Sequence, residues 1–152
     1  MSTFREQYGP WAVIAGASVG LGEAFARRLA SHGLNLVLLA RGQAALETLA
    51  SDLRAAHGIE ARTLAVDLAR PDLLPLVQGF TAQLEVGLLV YNAAFSTIGP
   101  FLDHPVEEHL RVIDVNCRAP LVLAHHFGGA MTARGRGGIV LMTSTAGSQG
   151  GP

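Results

Sequence analysis

The sequence predicts an α/β fold built on a doubly wound parallel sheet, and three features of the chain carry that prediction. Five short apolar runs alternate with segments in which apolar residues recur at helical spacing. Helical connections between successive strands force the strands to lie parallel, with right-handed crossovers. The first apolar run also ends in a glycine-rich turn that leads directly into a helical segment. In such a sheet, ligands bind outside the carboxyl ends of the strands.

The apolar runs define the predicted strands. They are residues 11–15 (WAVIA), 34–40 (LNLVLLA), 61–66 (ARTLAV), 87–91 (GLLVY) and 139–143 (IVLMT). The first two runs in particular are typical of strands that helices cover on both faces. A composition of 49% hydrophobic and only 15% charged residues fits the same arrangement.

Amphipathic spacing between the strands predicts the helices. They cover residues 23–30, 43–57, 71–83, 105–114 and 118–134. Gly58 closes the second of these helices, Pro71 opens the third, and Pro75 indicates an irregular first turn there. The last two segments are predicted to form one long pair that runs past Asn116.

Composition and charge restrict the class of protein. The 152 residues suit a single domain, and 11 basic against 12 acidic side chains give a net charge of −1, so no basic surplus favours a nucleic-acid partner. The longest uncharged stretches are interrupted by glycine, asparagine or proline, which argues against a membrane span. The single cysteine, Cys117, excludes an internal disulfide. The single cysteine and the polar N-terminus, which does not resemble a signal peptide, together indicate a cytoplasmic protein.

The glycine-rich turn predicts an anion site. Gly16, Gly20 and Gly22 are spaced as GxxxGxG between the first strand and the first helix. Backbone N–H groups and the positive end of the helix dipole would point at one place there, and Ser18 adds a hydroxyl that could bond the loop or a phosphate. Packing of strand against helix is the alternative explanation for the glycines.

The ends of the next three strands carry further candidate residues. Arg41 follows Ala40 at the end of the second strand, where an acidic residue would bond a free ribose 2′-hydroxyl and repel a 2′-phosphate. Because this chain has Ala40 in place of the acid and Arg41 beside it, the sequence favours NADP(H) over NAD(H). The alternative is that Arg41 is an ordinary surface residue. Asp67 could accept a bond from an adenine amino group or cap the next turn. The small residues at 92–94 would let a cofactor approach the backbone.

Taken together, these motifs resemble the main oxidoreductase branch of the short-chain dehydrogenase/reductase superfamily. In chain order they are GASVGLG at 16–22, Asp67 with Leu68, NAA at 92–94, Asn116 in DVNCRAP and Ser144 in GIVLMTSTAG. The resemblance implies a Rossmann-type sheet, with five of the family's usual seven strands in this chain, and an NADP(H) site. The cofactor-binding residues would be Gly16, Ser18, Val19, Gly20, Leu21, Gly22, Arg41, Asp67, Leu68, Asn92, Ala93 and Ala94.

The same resemblance implies hydride transfer between NADP(H) and a small-molecule carbonyl or alcohol. Ser144 would hydrogen-bond the reacting oxygen as negative charge develops, and Asn116 would hold a water on the proton route. The family's remaining catalytic tyrosine and lysine form a YxxxK motif, which would begin beyond Pro152. We therefore expect residues 1–152 to form one dinucleotide-binding domain that ends before that motif and is inactive alone. A nucleotide-binding module without catalysis is the alternative.

Two further expectations concern the helices and the histidines. Residues 121–124 and Phe127 form an apolar face on the helix that builds a dimer interface in this family, so a homodimer or homotetramer is expected, although this face could equally be core. His104 and His109, and the adjacent His125 and His126, lack the spacing that places two side chains on one helical face. No metal site is predicted.

Where the family has NNAG, this chain has YNAA, with Tyr91 and Ala94 in place of the usual asparagine and glycine. A slight local adjustment is expected there, with the cofactor site retained.

Overall fold

The computed structural model describes residues 3–144, and a parallel five-stranded sheet forms its centre. The strands are β1 (Trp11–Ala15), β2 (Asn35–Ala40), β3 (Ala61–Ala65), β4 (Val86–Tyr91) and β5 (Gly138–Leu141). They lie side by side in the order β3-β2-β1-β4-β5. The predicted fold class is confirmed. Because the strand order reverses between β1 and β4, the switch point of the sheet lies between these two strands.

One short helix precedes β1, and the other helices connect the strands on both faces of the sheet. They are α1 (Phe4–Tyr8), α2 (Gly20–Ser31), α3 (Gln43–His57), α4 (Leu73–Thr81), α5 (Val106–Ile113) and α6 (Ala119–Arg134). Helix α2 begins three residues earlier than predicted, because Gly20 to Gly22 of the glycine-rich loop already belong to the helix. Helix α4 begins later than predicted because Asp72, and not the residue before Pro71, is its N-cap.

Sequence analysis missed the short helix α1, although a local signal for it exists. Thr3 accepts a hydrogen bond from the Glu6 amide at 3.2 Å, and the Glu6 carboxylate accepts one from the Thr3 amide at 2.7 Å. This reciprocal capping box satisfies two backbone donors that a helix start would otherwise leave unpaired. The pattern Thr-x-x-Glu could have predicted the helix.

Two apolar layers sandwich the sheet. One face packs against α2 and α3 through residues such as Leu29, Leu46 and Leu53, and the other packs against α4 and α6 through residues such as Leu123 and Phe127. Strands β1 and β4 are buried along their whole length, and β2 from its second residue onward. Strands β3 and β5 are not: only the first residue of β3 is buried, and β5 alternates between exposed and half-buried residues.

Helices α5 and α6 join without a break, which confirms the predicted pair running past Asn116. Between them, Asp114–Arg118 form one π-helical turn. Such one-residue widenings of a helix occur frequently at functional sites. The buried hydroxyl of Tyr91, at the end of β4, donates a hydrogen bond to the Val115 carbonyl inside this turn.

The predicted apolar face of α6 belongs almost entirely to the core. Leu123 and Phe127 are buried, and Val122 and Ala124 pack against the same cluster. Leu121 alone among them points outward, with 68% of its surface exposed. No helix in the described range has the combination of length and hydrophobicity needed to cross a membrane.

Candidate nucleotide site

The carboxyl ends of β1 and β4 meet at the glycine turn. The amides of Asn92 and Ala93 both donate to the Ala15 carbonyl, at 2.9 and 3.0 Å. The side-chain amide of Asn92 donates to the Gly16 carbonyl at 3.1 Å. Residues that follow β4 therefore hold the turn that follows β1, as expected at the switch point of a doubly wound sheet.

The three glycines of the turn have different physical roles. A Cβ on Gly22 would lie 1.9 Å from the Gly16 carbonyl oxygen, and a Cβ on Gly16 would lie 2.7 Å from the Ala93 nitrogen. Both glycines are therefore required for close packing. Gly20 has a φ of +61°, but no atom lies within 4 Å of its Cβ position. Its backbone conformation favours glycine, and the space beside it is open.

Helix α2 begins at this open position without a side-chain cap. Its N-cap residue, Val19, is extended, and no side chain accepts a bond from the first turn. An uncapped helix start presents backbone N–H donors together with the positive end of the helix dipole. The geometry is suited to binding an anion such as a phosphate.

A cavity of about 340 Å³, here called the switch-point cavity, opens beside the turn. Its lining residues are Gly16, Ser18, Val19, Ala40, Arg41, Gly42, Val66, Asp67, Leu68, Asn92, Ala93, Ala94, Phe95, Arg111 and Val115. The structure thus brings together all the predicted cofactor residues except Gly20, Leu21 and Gly22. Leu21 lines a neighbouring cavity, and Gly22 is buried in the contact just described.

Asp67 is held at the floor of the switch-point cavity by two contacts. One carboxylate oxygen accepts a bond from the Ala69 amide at 3.0 Å, and the other pairs with the Arg111 guanidinium at 2.7 Å. Burial alone would raise the pKa of Asp67, but the Ala69 amide, Arg111 and Arg41 outweigh it and lower that pKa below its ordinary value. Asp67 is therefore a carboxylate at neutral pH. The predicted turn-capping contact is present, and an adenine contact is compatible with it.

Sequence analysis missed Phe95 and Arg111, which also line the cavity. The Arg111 guanidinium carbon lies 5.2 Å from the centre of the Phe95 ring. Seven residues further along, Arg118 pairs with Asp114 and donates to the carbonyls of Ala69 and Arg70 at 2.6 and 2.9 Å. The local sequence pattern carried no signal for these residues, because the contacts of Arg111 and Arg118 with the loop after β3 join positions far apart in the chain.

A second cavity of about 460 Å³, here called the serine cavity, lies next to the first. It is lined by Leu21, Tyr91, Asn92, Ala93, Ala94, Asn116, Pro120, Leu141, Met142, Thr143 and Ser144. Residues 92–94 line both cavities and thus form a wall that the two share. Both predicted catalytic residues, Asn116 and Ser144, therefore lie on the second cavity. The part of the GIVLMTSTAG motif after Ser144 lies outside the described residues.

The side chain of Asn116 holds the loop that follows β4. Its oxygen accepts from the Phe95 amide at 2.9 Å, and its nitrogen donates to the Phe95 carbonyl at 2.7 Å. This reciprocal pair fixes the π turn against the loop that separates the two cavities. Tyr91, which stands where the family usually has asparagine, donates its hydroxyl to the Val115 carbonyl, and burial raises the pKa of that phenol.

His104 and His109 make local contacts. His104 precedes α5 and contacts Glu108 at 3.0 Å and the Ile98 carbonyl at 3.1 Å. His109 contacts the Phe101 carbonyl at 2.9 Å. The two histidine rings approach to 6.0 Å, closer than their spacing suggested, because His104 is not part of the helix. Within residues 3–144, no three His, Cys, Asp or Glu side chains are grouped as a metal site requires.

A glycine turn at the switch point of a β3-β2-β1-β4-β5 parallel sheet defines the class of Rossmann-type nucleotide-binding domains. The chain belongs to the short-chain dehydrogenase family, whose model, described as "short chain dehydrogenase", matches residues 10–152.

Relatives of known activity cover nearly the whole chain. A 7beta-hydroxysteroid dehydrogenase of Collinsella aerofaciens is 32% identical over 148 residues, which are 97% of this chain and 56% of that protein. A solved 7beta-hydroxysteroid dehydrogenase structure superposes with a TM-score of 0.93 at 32% identity, covering 97% of this chain and 57% of that one. A Sphingobium yanoikuyae short-chain dehydrogenase in complex with NADPH superposes with a TM-score of 0.81 at 34% identity. That match covers 86% of this chain and 52% of the other. The chain thus spans just over half the length of these relatives.

Proposed function

We propose that this chain is the nucleotide-binding part of an NADP(H)-dependent oxidoreductase that interconverts a carbonyl and an alcohol. The observation that carries the proposal is the switch-point cavity, which places an uncapped helix start and Arg41 around one space. The NADPH complex of a relative that is 34% identical supports the choice of nucleotide. The hydroxysteroid dehydrogenases among its relatives support an alcohol or carbonyl of small molecular size as substrate.

The pyrophosphate would bind at the start of α2. The open space beside Gly20 lets a phosphate reach the backbone amides of the first turn, which includes Leu21. Ser18 and Val19 line the approach. Gly16 and Gly22 contribute through packing, because any side chain on either residue would displace the turn.

The adenosine would lie across the ends of β2 and β3. Arg41 would pair with the 2′-phosphate, and Ala40 removes the acidic residue that would repel it. Asp67 would accept a hydrogen bond from the adenine amino group, with Leu68 beside the ring. Residues 92–94 would lie under the nicotinamide ribose, where they line both cavities.

The serine cavity would hold the reacting carbonyl. A bound nicotinamide supplies or accepts the hydride there. Ser144 would stabilise the developing charge on oxygen, and the π turn held by Asn116 would position a water for proton transfer. The sequence of 152 residues contains no lysine, and the Tyr91 hydroxyl is buried and bonded to Val115. We propose that these residues alone bind nucleotide without turnover.

A nucleotide-binding module without catalysis is a second candidate, because the cofactor residues around the switch-point cavity would serve it equally well. The intact protein separates the two candidates in an assay that follows NADPH oxidation at 340 nm with a set of ketones. Turnover of any ketone supports the oxidoreductase, whereas tight NADPH binding without turnover of any ketone supports the module.

Arg41→Asp tests the cofactor assignment. We expect NADPH affinity to fall by roughly ten- to a hundredfold, because a charge-assisted contact becomes a repulsion, while NADH affinity is unchanged or improves. Affinities are measured by nucleotide titration of the intact protein. Arg28→Asp makes the same change of charge on α2, away from the cavity, and should affect both nucleotides little. An equal loss of both nucleotides in Arg41→Asp would contradict the assignment.

A further inference from the structure

Arg111 enters the switch-point cavity from α5, far along the chain from the other charged residues there. Its guanidinium donates to Asp67 at 2.7 Å and lies 5.2 Å from the Phe95 ring centre. All three of these residues line the cavity. The ion pair and the aromatic ring together fix one position for this cation in the cavity wall.

The charges around the cavity are few and close together. Among the lining residues in the described part of the chain, the charged ones are Arg41, Asp67 and Arg111. Burial opposes ionisation of Asp67, but its hydrogen bonds and the two arginines hold its pKa below the ordinary value, so that it carries a full negative charge. Asp67 and Arg111 therefore cancel each other, and Arg41 supplies the net positive charge.

A carboxylate in this position has two opposite effects on a bound nucleotide. It can accept a hydrogen bond from an adenine amino group, which NADH and NADPH share. Its charge would also repel the 2′-phosphate, which only NADPH carries. Without a compensating cation, Asp67 would therefore weaken the preference that Arg41 creates.

We infer that Arg111 helps to set the cofactor preference of this site by cancelling the charge of Asp67, so that Arg41 attracts the 2′-phosphate unopposed. Arg111 acts through Asp67 and is thus a positioning and specificity residue, not a catalytic one. The inference rests on the proposed NADP(H) function and adds a residue to it that lies outside the glycine turn and the end of β2.

The ratio of NADPH to NADH affinity isolates this effect, because contacts to the shared parts of the two nucleotides cancel in it. The intact protein and the variants Arg111→Met, Asp67→Asn and Arg111→Met/Asp67→Asn are titrated with both nucleotides. We expect the ratio to fall roughly three- to tenfold in Arg111→Met and to rise by a similar factor in Asp67→Asn. The double variant should return to within about twofold of the unsubstituted protein.

Two controls separate charge from structure. Arg111→Lys keeps the charge without the planar fork and should largely retain the ratio. Arg118→Met removes the other arginine that holds the loop after β3, but Arg118 does not line the cavity. It should lower both affinities alike and leave the ratio unchanged. If Arg111→Met proves too unstable to titrate, Arg111→Gln removes the same charge with a polar side chain and should lower the ratio by a similar factor.

The outcomes distinguish this inference from the proposed function. A protein that prefers NADPH but whose ratio is unmoved by Arg111→Met and Asp67→Asn overturns the inference alone. A double variant that keeps the lowered ratio of Arg111→Met also overturns it, because Asp67 would then not mediate the effect. If the unsubstituted protein binds neither nucleotide, the proposed function fails and the inference fails with it.

Discussion

The two halves of the sheet differ in how completely the described chain covers them. In the β1–β3 half, helices on both faces bury β1 and most of β2, although β3 at the edge is buried only at its first residue. Gly16 and Gly22 of the glycine turn also pack closely against their neighbours there. In the β4–β5 half, Leu141 of β5 is 55% exposed and α5 has no buried residue. On α5, Val106, Leu110 and Ile113 are all more than half exposed.

This difference indicates that the two cavities depend on different parts of the molecule. The switch-point cavity is shaped by backbone contacts and ion pairs within the described residues. The serine cavity is bordered by Leu141 and the residues that follow β5, an edge strand of exposed and half-buried residues. Substitutions in the glycine turn should therefore affect both stability and nucleotide binding, whereas substitutions on the exposed surface of the β4–β5 half should affect neither.

Gly22→Ala should have the largest effect. The new methyl group would lie 1.9 Å from the Gly16 carbonyl oxygen, so that strand, turn and helix must all move apart. We expect the free energy of unfolding to fall by roughly 3 kcal/mol, with loss of nucleotide binding. Urea denaturation and nucleotide titration measure the two quantities.

Gly129→Ala is the matched control. Gly129 lies within α6, and no atom lies within 4 Å of its Cβ position. The same added methyl group should raise the free energy of unfolding by about 0.4–1 kcal/mol, because alanine loses less entropy in a helix. Similar destabilisation by the two substitutions would show that the turn is looser than its contacts indicate.

Tyr91→Phe should have an intermediate effect. The phenol hydroxyl bonds the Val115 carbonyl at the junction of the two halves, and its removal leaves a buried acceptor unpaired. We expect a loss of about 1–2 kcal/mol in the free energy of unfolding, measured by urea denaturation. Tyr8→Phe is the control, because the Tyr8 hydroxyl accepts a bond from the exposed Gln7 side chain at 3.1 Å and has no buried partner among residues 3–144. Equal effects would contradict a supporting role for Tyr91 in the π turn.

Local patterns in the sequence were sufficient for most of the fold. Buried strands such as β1 and β2 are continuous apolar runs, and a glycine follows both β1 and α3, where the backbone takes a positive φ. The alternation of strand and helix then predicts a parallel sheet, since parallel strands are joined by crossovers of one hand. The strand order itself is known from the structure. The candidate site followed because the carboxyl ends of these strands share one edge.

The missed features depend on contacts between distant residues. The pair of Arg111 and Asp67 joins positions 44 apart, and hydrophobic periodicity carries no information about it. A π turn adds one residue to a helix without changing which residues are apolar, so the pattern around Asn116 could not indicate it. Periodicity also could not distinguish Leu121 from Leu123, because both belong to one uninterrupted apolar run.

Leu121→Ala should have the smallest effect and tests the exposed surface directly. Leu121 is 68% exposed, so its truncation should change the free energy of unfolding by less than about 0.5 kcal/mol. Leu123→Ala, two residues along the same helix, removes a fully buried side chain and should cost about 2–5 kcal/mol. Both are measured by urea denaturation of the intact protein. A loss above about 1 kcal/mol for Leu121→Ala would mean that another segment or another copy of the protein covers this surface, and the β4–β5 half would then be as completely packed as the β1–β3 half.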